Sequence, residues 1–173
     1  MNHQFKQNKY DEYYTPKYAV NPILEFIPTD TTIWCPFDTA NSNYVKLLEK
    51  RGNKVIYSHI DDGKDFFVYE PLHYDIIISN PPYSKREAIL ERLYDINKPF
   101  GILINEAGLF DSKKRYKLLR DNKFEIMIFD GRIDYERANV STLSSPPFKS
   151  IYLCSNLLPD RFIFRNLDKK QFI

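Results

Sequence analysis

Four consecutive residues, Asn80-Pro81-Pro82-Tyr83, carry the clearest chemistry in this 173-residue chain. Two prolines in a row fix φ and remove two backbone donors, so the carbonyls of Asn80 and Pro81 are held rigidly as acceptors. An exocyclic amino group has two hydrogens to give. The amide oxygen of Asn80 and the carbonyl of Pro81 can take both, which turns the nitrogen lone pair toward an electrophilic methyl group. Tyr83 offers a flat face on which a planar substrate can stack. The plainer alternative is a Pro-Pro strand ending, with Asn80 a turn residue and Tyr83 surface packing. Context favours the chemistry. The tetrapeptide directly follows the apolar run Asp75-Ile76-Ile77-Ile78-Ser79 and precedes a helical pattern from near Ser84. In an open parallel sheet the ligand crevice lies at the carboxyl ends of the strands.

The elements that must position this motif follow from hydrophobic periodicity. Strand-like runs rich in Ile, Val, Tyr and Phe occur at Thr32–Cys35, Lys54–His59, Asp65–Tyr69, Tyr74–Ser79, Phe100–Asn105, Glu125–Asp130 and Ser150–Ser155. Apolar Tyr44, Leu47 and Leu48, closed by Gly52, predict an amphipathic helix, and Ile89, Leu90, Leu93 and Tyr94 predict another before Pro99. A further helix is expected over Ser112 to Arg120, with Asp111 as its N-cap. Strands alternating with helices predict an α/β, Rossmann-like fold with helices on both faces of a mostly parallel sheet. Between the last two strand runs lies only Arg132–Pro147, without a helical pattern, so the final strand is expected to return antiparallel.

The chain has the size of a single domain, with 1–12 and 168–173 as the ends most prone to fray. Cys35 and Cys154 have no CxxC partner and the chain has three histidines, which suggests neither a disulfide framework nor a metal cluster. No apolar run reaches the roughly 18 residues of a membrane span, so a cytoplasmic protein is expected. Twenty-five basic and 23 acidic residues leave a net charge of +2, far from the composition of a dedicated nucleic-acid binder. Thirteen Tyr and thirteen Phe suit core packing first and base stacking second.

With these segments in order, the chain resembles the class I S-adenosylmethionine-dependent amino methyltransferases. Their [DNS]PP[YFW] motif holds the target nitrogen of adenine, cytosine or a glutamine amide. Tyr14-Thr15-Pro16 before the helix-like Lys17–Phe26 resembles the segment that packs over the methionine end of the cofactor. Ile33-Trp34-Cys35-Pro36-Phe37-Asp38 resembles the first strand and its loop, and Asp65-Phe66-Phe67 the acidic-aromatic step that holds the cofactor's adenine. The likeness is closest to small phage-type N6-adenine methyltransferases, through WCPFD, NPPYSK and Ser-Pro-Pro-Phe-Lys-Ser before the last strand, and covers about residues 13–155.

Two segments depart from that pattern. Family members carry Gly-x-Gly after the first strand, because glycine lets the backbone approach the cofactor closely. Here the loop reads Pro36-Phe37-Asp38-Thr39-Ala40-Asn41-Ser42-Asn43. Asn can visit positive φ, Ser42 or Asn43 can cap the next helix, and that helix N-terminus can receive the cofactor carboxylate; the other reading is a loop that binds no cofactor. The second strand, which the family ends with an acidic residue on the ribose, ends here in Tyr57-Ser58-His59-Ile60-Asp61-Asp62. Ser58 or His59 stands in for it, with Asp61 nearby, or His59 is a strand-end histidine without a role. Asp65 is the stronger cofactor residue, since its carboxylate can accept amino hydrogens between the apolar walls of Phe66 and Phe67. The alternative there is an edge strand packed by its aromatics.

On the substrate side, Ser84, Lys85 and Arg86 open a helix whose amides and cations suit the phosphates flanking an extruded nucleotide. Lys113, Lys117 and Arg120 share one helix face, either as a solvated stripe or as a nucleic-acid contact. No chain remains for a separate recognition domain, so the loops Glu106–Asp111 and Arg132–Pro147 are expected to read the substrate, with Asn139, Ser141, Thr142 and Ser144 as hydrogen-bonding side chains. A partner subunit is a second source of specificity. Three functions stand side by side: an N6-adenine methyltransferase acting on DNA or RNA, a protein glutamine methyltransferase, and a non-catalytic module that keeps the base pocket alone.

Overall fold

A computed structural model describes residues 13–137, 140–144 and 146–172. In chain order the elements are β1 (Tyr13–Tyr14), α1 (Lys17–Leu24), β2 (Thr32–Cys35), α2 (Asn43–Lys50), β3 (Lys54–Tyr57), β4 (Ile76–Ser79), α3 (Arg86–Ile96), β5 (Phe100–Asn105), α4 (Lys113–Asp121), β6 (Glu125–Phe129), β7 (Tyr135–Arg137), β8 (Val140–Ser144), β9 (Ser150–Ser155) and β10 (Phe162–Arg165). Among the described residues they build a seven-stranded sheet in the order β10-β6-β9-β5-β4-β2-β3 and a separate three-stranded sheet, β1-β7-β8.

The period-2 alternation of β4 explains why the large sheet is covered on both faces. Ile76 and Ile78 join the core under α1 and α2, with Ala19, Val20, Ile23 and Leu48, whereas Ile77 joins the core under α3 and α4, with Ile89, Leu93 and Leu119. Burying each such side chain fully contributes about 1.5–3 kcal/mol. The uninterrupted apolar run is therefore what a central parallel strand requires.

β9 runs antiparallel to both β5 and β6, and the remaining ladders of the large sheet are parallel. The antiparallel strand is not the last. β10 follows it and pairs in parallel with β6 at the sheet edge. Its burial alternates but its sequence does not, because Phe162 and Phe164 face outward while Ile163 packs against the core. The turn between β9 and β10 is held by a buried carboxylate: Glu125 accepts from the backbone N–H of Asn156 (3.0 Å), Leu157 (3.2 Å) and Leu158 (3.2 Å), with Asn156 left-handed at φ 53°.

Two expectations need correction. Asp65–Tyr69 is a turn and not a strand: Val68 N and Tyr69 N both donate to Asp65 O, and Asp65 Oδ1 accepts from Phe67 N at 3.0 Å. An aspartate that bonds its own following backbone offers the chain an alternative to a ladder, and Phe66 is buried against Trp34 with ring centroids 5.5 Å apart. The helix after β5 is capped by Ser112, whose Oγ accepts from Arg115 N, and not by Asp111. The segment Arg132–Pro147, expected to lack a helix, contains the β7–β8 pair.

Candidate active site

β2 and β4 are neighbours in the sheet, so the loops at their carboxyl ends open side by side. Between these loops, the β3 end and the β1 segment lies a crevice of about 420 Å³, within the roughly 300–1,000 Å³ of small-molecule sites. Its floor is polar and tightly tied. Ser79, fully buried at the end of β4, donates through its hydroxyl to Asp38 Oδ2, and Ser42 Oγ donates to Asp38 Oδ1. Ser42 Oγ in turn accepts from Tyr44 N at 3.1 Å and caps α2. Phe37 N donates to Ser79 Oγ at 3.3 Å, and Asp38 N to Ser58 O at 3.2 Å. Burial pushes the Asp38 carboxyl up to about 6, against the two serine hydroxyls and His59, which favour its charged form.

The missing glycines have a structural answer. Among the described non-glycine residues, positive φ occurs only at Asn97 and Asn156. The loop from Pro36 to Asn43 therefore turns without any left-handed residue, held by Asp38 and its two serines. Neither Asn41 nor Asn43 uses the positive φ open to asparagine; Asn43 Nδ2 instead donates to Thr15 O at 2.9 Å.

The wall beyond β3 gathers His59, Asp65, Phe66 and Phe67 on the crevice. His59 Nδ1 accepts from Asp61 N at 3.2 Å, ahead of the short turn Ile60–Asp62. Ser58 sits below this wall, 1% exposed, with its hydroxyl accepting from Trp34 Nε1 at 3.0 Å. Phe66 packs on Phe37 with ring centroids 4.9 Å apart, and Lys85 Nζ lies 5.6 Å from the Phe67 ring. Asp38, Asp61 and Asp65 give the crevice an acidic side, with Lys46 and Lys85 opposite in sign.

All four residues of the tetrapeptide line the crevice. Asn80 Nδ2 donates to Thr15 Oγ1 at 3.1 Å, which fixes the orientation of the amide, whose oxygen is buried at the edge of the crevice. Tyr83 opens the short turn Tyr83–Lys85; its hydroxyl donates to Tyr135 Oη at 3.0 Å, Tyr135 is bonded to Ser150 Oγ at 2.7 Å, and the Tyr83 ring meets Phe148 edge-on at 5.3 Å. Burial drives the Tyr135 hydroxyl well above its ordinary pKa, so it remains a neutral partner.

Tyr14, Thr15, Pro36, Phe37, Asp38 and Lys85 share this crevice, whereas Pro16, Ser58, Ser84 and Arg86 do not line it. Pro16 O instead receives Ala19 N and Val20 N at the start of α1. Arg86 Nη1 donates to Asn105 O (2.9 Å) and Ala107 O (3.0 Å), so it braces the loop after β5. Arg115 braces the same loop through Gly108 O and Leu109 O. In the α4 stripe, Arg120 is paired with Asp121. Asn139 lies outside the described residues, as do the side chains of Ser141, Thr142 and Ser144.

Sequence reasoning passed over Ser79, Tyr135, Ser150 and the bond between Thr15 and Asn80. Only Ser79 carried a local signal, as the polar end of an otherwise apolar strand. Among the described residues, no group of three or more His, Cys, Asp or Glu is placed to hold a metal ion, and no helix is long and apolar enough to cross a membrane.

No protein-family model matches the chain, and no curated protein matches its sequence. Among solved structures, it is similar to the methyltransferase subunit of a type I restriction-modification system from Streptococcus thermophilus, with TM-score 0.54, 14% identity, and coverage of 90% of this chain and 47% of that one. A modification subunit of a putative type I restriction enzyme from Vibrio vulnificus follows, with TM-score 0.49, 10% identity, and coverage of 91% and 47%. A precorrin-6y C5,15-methyltransferase from Geobacter metallireducens has TM-score 0.46, 12% identity, and coverage of 86% and 96%. The chain thus spans about half the length of the two restriction-system subunits. Its architecture is the Rossmann-like fold of class I methyltransferases.

Proposed function

We propose that this protein transfers a methyl group from S-adenosylmethionine to an exocyclic amino nitrogen, with N6 of adenine in nucleic acid as the acceptor. The observation that carries the reading is the meeting, in one crevice, of all four residues Asn80-Pro81-Pro82-Tyr83, with the Asn80 amide nitrogen held by Thr15, and an acidic, aromatic wall. The residues present fit the cofactor. Phe66 and Phe67 offer apolar walls for its adenine, Asp65 a carboxylate for that ring's amino hydrogens, and the capped start of α2 a place for its carboxylate. When bound, it supplies an activated methyl group on sulfur.

The chain's own residues hold and polarise the acceptor. An extruded adenine stacks on Tyr83 and gives its two amino hydrogens to Asn80 Oδ1 and Pro81 O. Methyl transfer would build positive charge on that nitrogen, and both oxygens would favour the charge until a proton leaves to water. Lys85, close to the Phe67 ring, is the cation best placed to meet a flanking phosphate. The name of the Streptococcus thermophilus subunit, from a restriction-modification system, supports DNA as acceptor and a partner subunit as a source of specificity.

The test is transfer of radiolabelled methyl groups to DNA, to RNA and to a glutamine-bearing peptide. Label in N6-methyladenine upholds the proposal, and label in the peptide alone moves it to the glutamine amide. A second reading, nucleic-acid binding without catalysis, is favoured by the glycine-free cofactor loop. Calorimetry with S-adenosylhomocysteine separates the two: micromolar binding is the expected result, and a folded protein giving no heat at millimolar ligand upholds the second reading.

A further inference from the structure

The three-stranded sheet β1-β7-β8 stands outside the large sheet and has no counterpart in the chemistry so far. Its contacts with the tetrapeptide are specific. Thr15, next after β1 and 6% exposed, accepts through Oγ1 from Asn80 Nδ2 at 3.1 Å and through its carbonyl from Asn43 Nδ2 at 2.9 Å. Tyr135, in β7 and fully buried, accepts from the Tyr83 hydroxyl at 3.0 Å and is anchored on Ser150 of β9 at 2.7 Å. β1 and β7 are hydrogen-bonded to each other, with Tyr14 opposite Glu136 and Tyr13 opposite Arg137. One small sheet therefore grips both working ends of the motif.

We infer that this sheet is the aligning device of the acceptor pocket, with Thr15 the positioning residue for the Asn80 amide and Tyr135 the positioning residue for the Tyr83 ring. The inference rests on the methyl-transfer reading for its kinetic consequences, but the alignment itself does not. An amide can rotate about its last side-chain torsion at small cost, and a rotated Asn80 would present its nitrogen to the acceptor amino group, donor against donor. Thr15 removes that orientation, because its hydroxyl hydrogen is given to Tyr44, in the chain Tyr44–Tyr152–Ala19 O, which leaves Oγ1 only an acceptor toward Asn80. An aromatic ring that has lost its hydroxyl tether still stacks, but over a wider range of tilt. Loss of Thr15 therefore harms the reacting geometry, and loss of the Tyr135 hydroxyl harms acceptor binding.

The experiment uses Thr15→Val, Thr15→Ser and Tyr135→Phe in the full chain. For Thr15→Val, kcat is expected to fall about 10–100-fold with acceptor KM within about twofold, because the interaction weakened is one needed in the transition state. Thr15→Ser, which keeps the hydroxyl, is expected within about threefold of the parent. For Tyr135→Phe, acceptor KM should rise about 3–10-fold with little change in kcat. Where Tyr135→Phe does not fold, Ser150→Ala loosens the far end of the same chain and should move acceptor KM in the same direction.

A staple with no aligning role gives a different result: every variant loses kcat in proportion to its unfolded fraction, with no split between kcat and KM, and that outcome overturns the inference. A Thr15→Ser variant as slow as Thr15→Val overturns it too. A readout without turnover is the side-chain amide resonance of Asn80 in a ¹⁵N spectrum, assigned by its loss in Asn80→Asp. It should shift in Thr15→Val and stay near its place in Thr15→Ser. A parent that methylates nothing while this signal moves sinks the methyl-transfer reading and upholds the alignment. A parent that methylates adenine, with turnover and signal both unmoved in Thr15→Val, does the reverse.

Discussion

On the side of the crevice proposed for the cofactor, Asp38 ties Ser42, four positions away, to Ser79, 41 positions away. On the side proposed for the acceptor, Asn80 and Tyr83 are tied to Thr15 and Tyr135, which lie 65 and 52 positions away. The first wall is a loop stitched to its own helix cap and to the next strand; the second is a short motif held by a different sheet. A change on the first wall should register in folding and cofactor affinity. A change on the second should register in turnover and acceptor binding, with the fold intact.

The largest expected effect sharpens the second half of that contrast. Asn80→Ala removes an acceptor that matters most as positive charge develops on the nitrogen, so turnover should fall about 10²–10³-fold, as for other preorganised polar groups. Cofactor affinity from calorimetry should hardly change. A variant that methylates as fast as the parent returns the tetrapeptide to a strand-ending turn.

Asp38 tests the first wall through pH. Its folded pKa of about 6 lies above the ordinary 3.8, so its contribution to stability is fully present below the ordinary value. It is lost as pH rises toward 6, because the unfolded chain ionises first. Urea denaturation should show the parent losing about 2 kcal/mol relative to Asp38→Asn between pH 4 and 6, about 3 kcal/mol in all from pH 3 to 7, and no further difference above that. Parallel stability curves for the two proteins across that window would contradict the assignment.

Asp65→Ala should weaken cofactor binding by about 1–3 kcal/mol, the cost of losing a hydrogen bond to a charged group. Because Asp65 also accepts from Phe67 N, the comparison variant is Asp65→Asn, which can keep that turn. Equal affinities for Asp65→Ala and the parent would put the adenine elsewhere in the crevice.

The smallest effects lie at Tyr83. Tyr83→Ala removes about 1–3 kcal/mol of base stacking and should appear in acceptor KM. Tyr83→Phe keeps the ring and loses one neutral hydrogen bond to Tyr135, about 0.5–1.5 kcal/mol. Inverted sizes would show that the hydroxyl, and not the ring, does the recognising.

The same contrast explains what could be read from sequence. The place of the tetrapeptide, at the end of β4 and on the crevice, was legible because it is contiguous and follows an unbroken Ile run. β4 was legible for the same reason. The residues that hold Asn80 and Tyr83 were not, since nothing local at Thr15 or Tyr135 points to a partner more than fifty positions away. Asp65–Tyr69 misled because its aromatics suit a strand, while a single Asx bond, Phe67 N to Asp65 Oδ1, was enough to curl it. β10 escaped notice because its two outward residues are phenylalanines flanking the inward Ile163, so residue type does not alternate with burial.

The placement of β9 carries a consequence for how the chain comes together in time. Within the large sheet, β6 pairs only with β9 and β10, both of which follow it in sequence. The parallel half β3-β2-β4-β5 can assemble once residue 105 is present, but its β5 edge stays open until Ser150–Ser155 slot in beside it. Throughout that interval β6 has neither neighbour. Long-range strand insertion of this kind is slow, and open apolar edges are where chains pair wrongly. A ribosome-bound chain halted between β6 and β9 is therefore the species most prone to aggregate, and emergence of β9 is the event that ends the exposure.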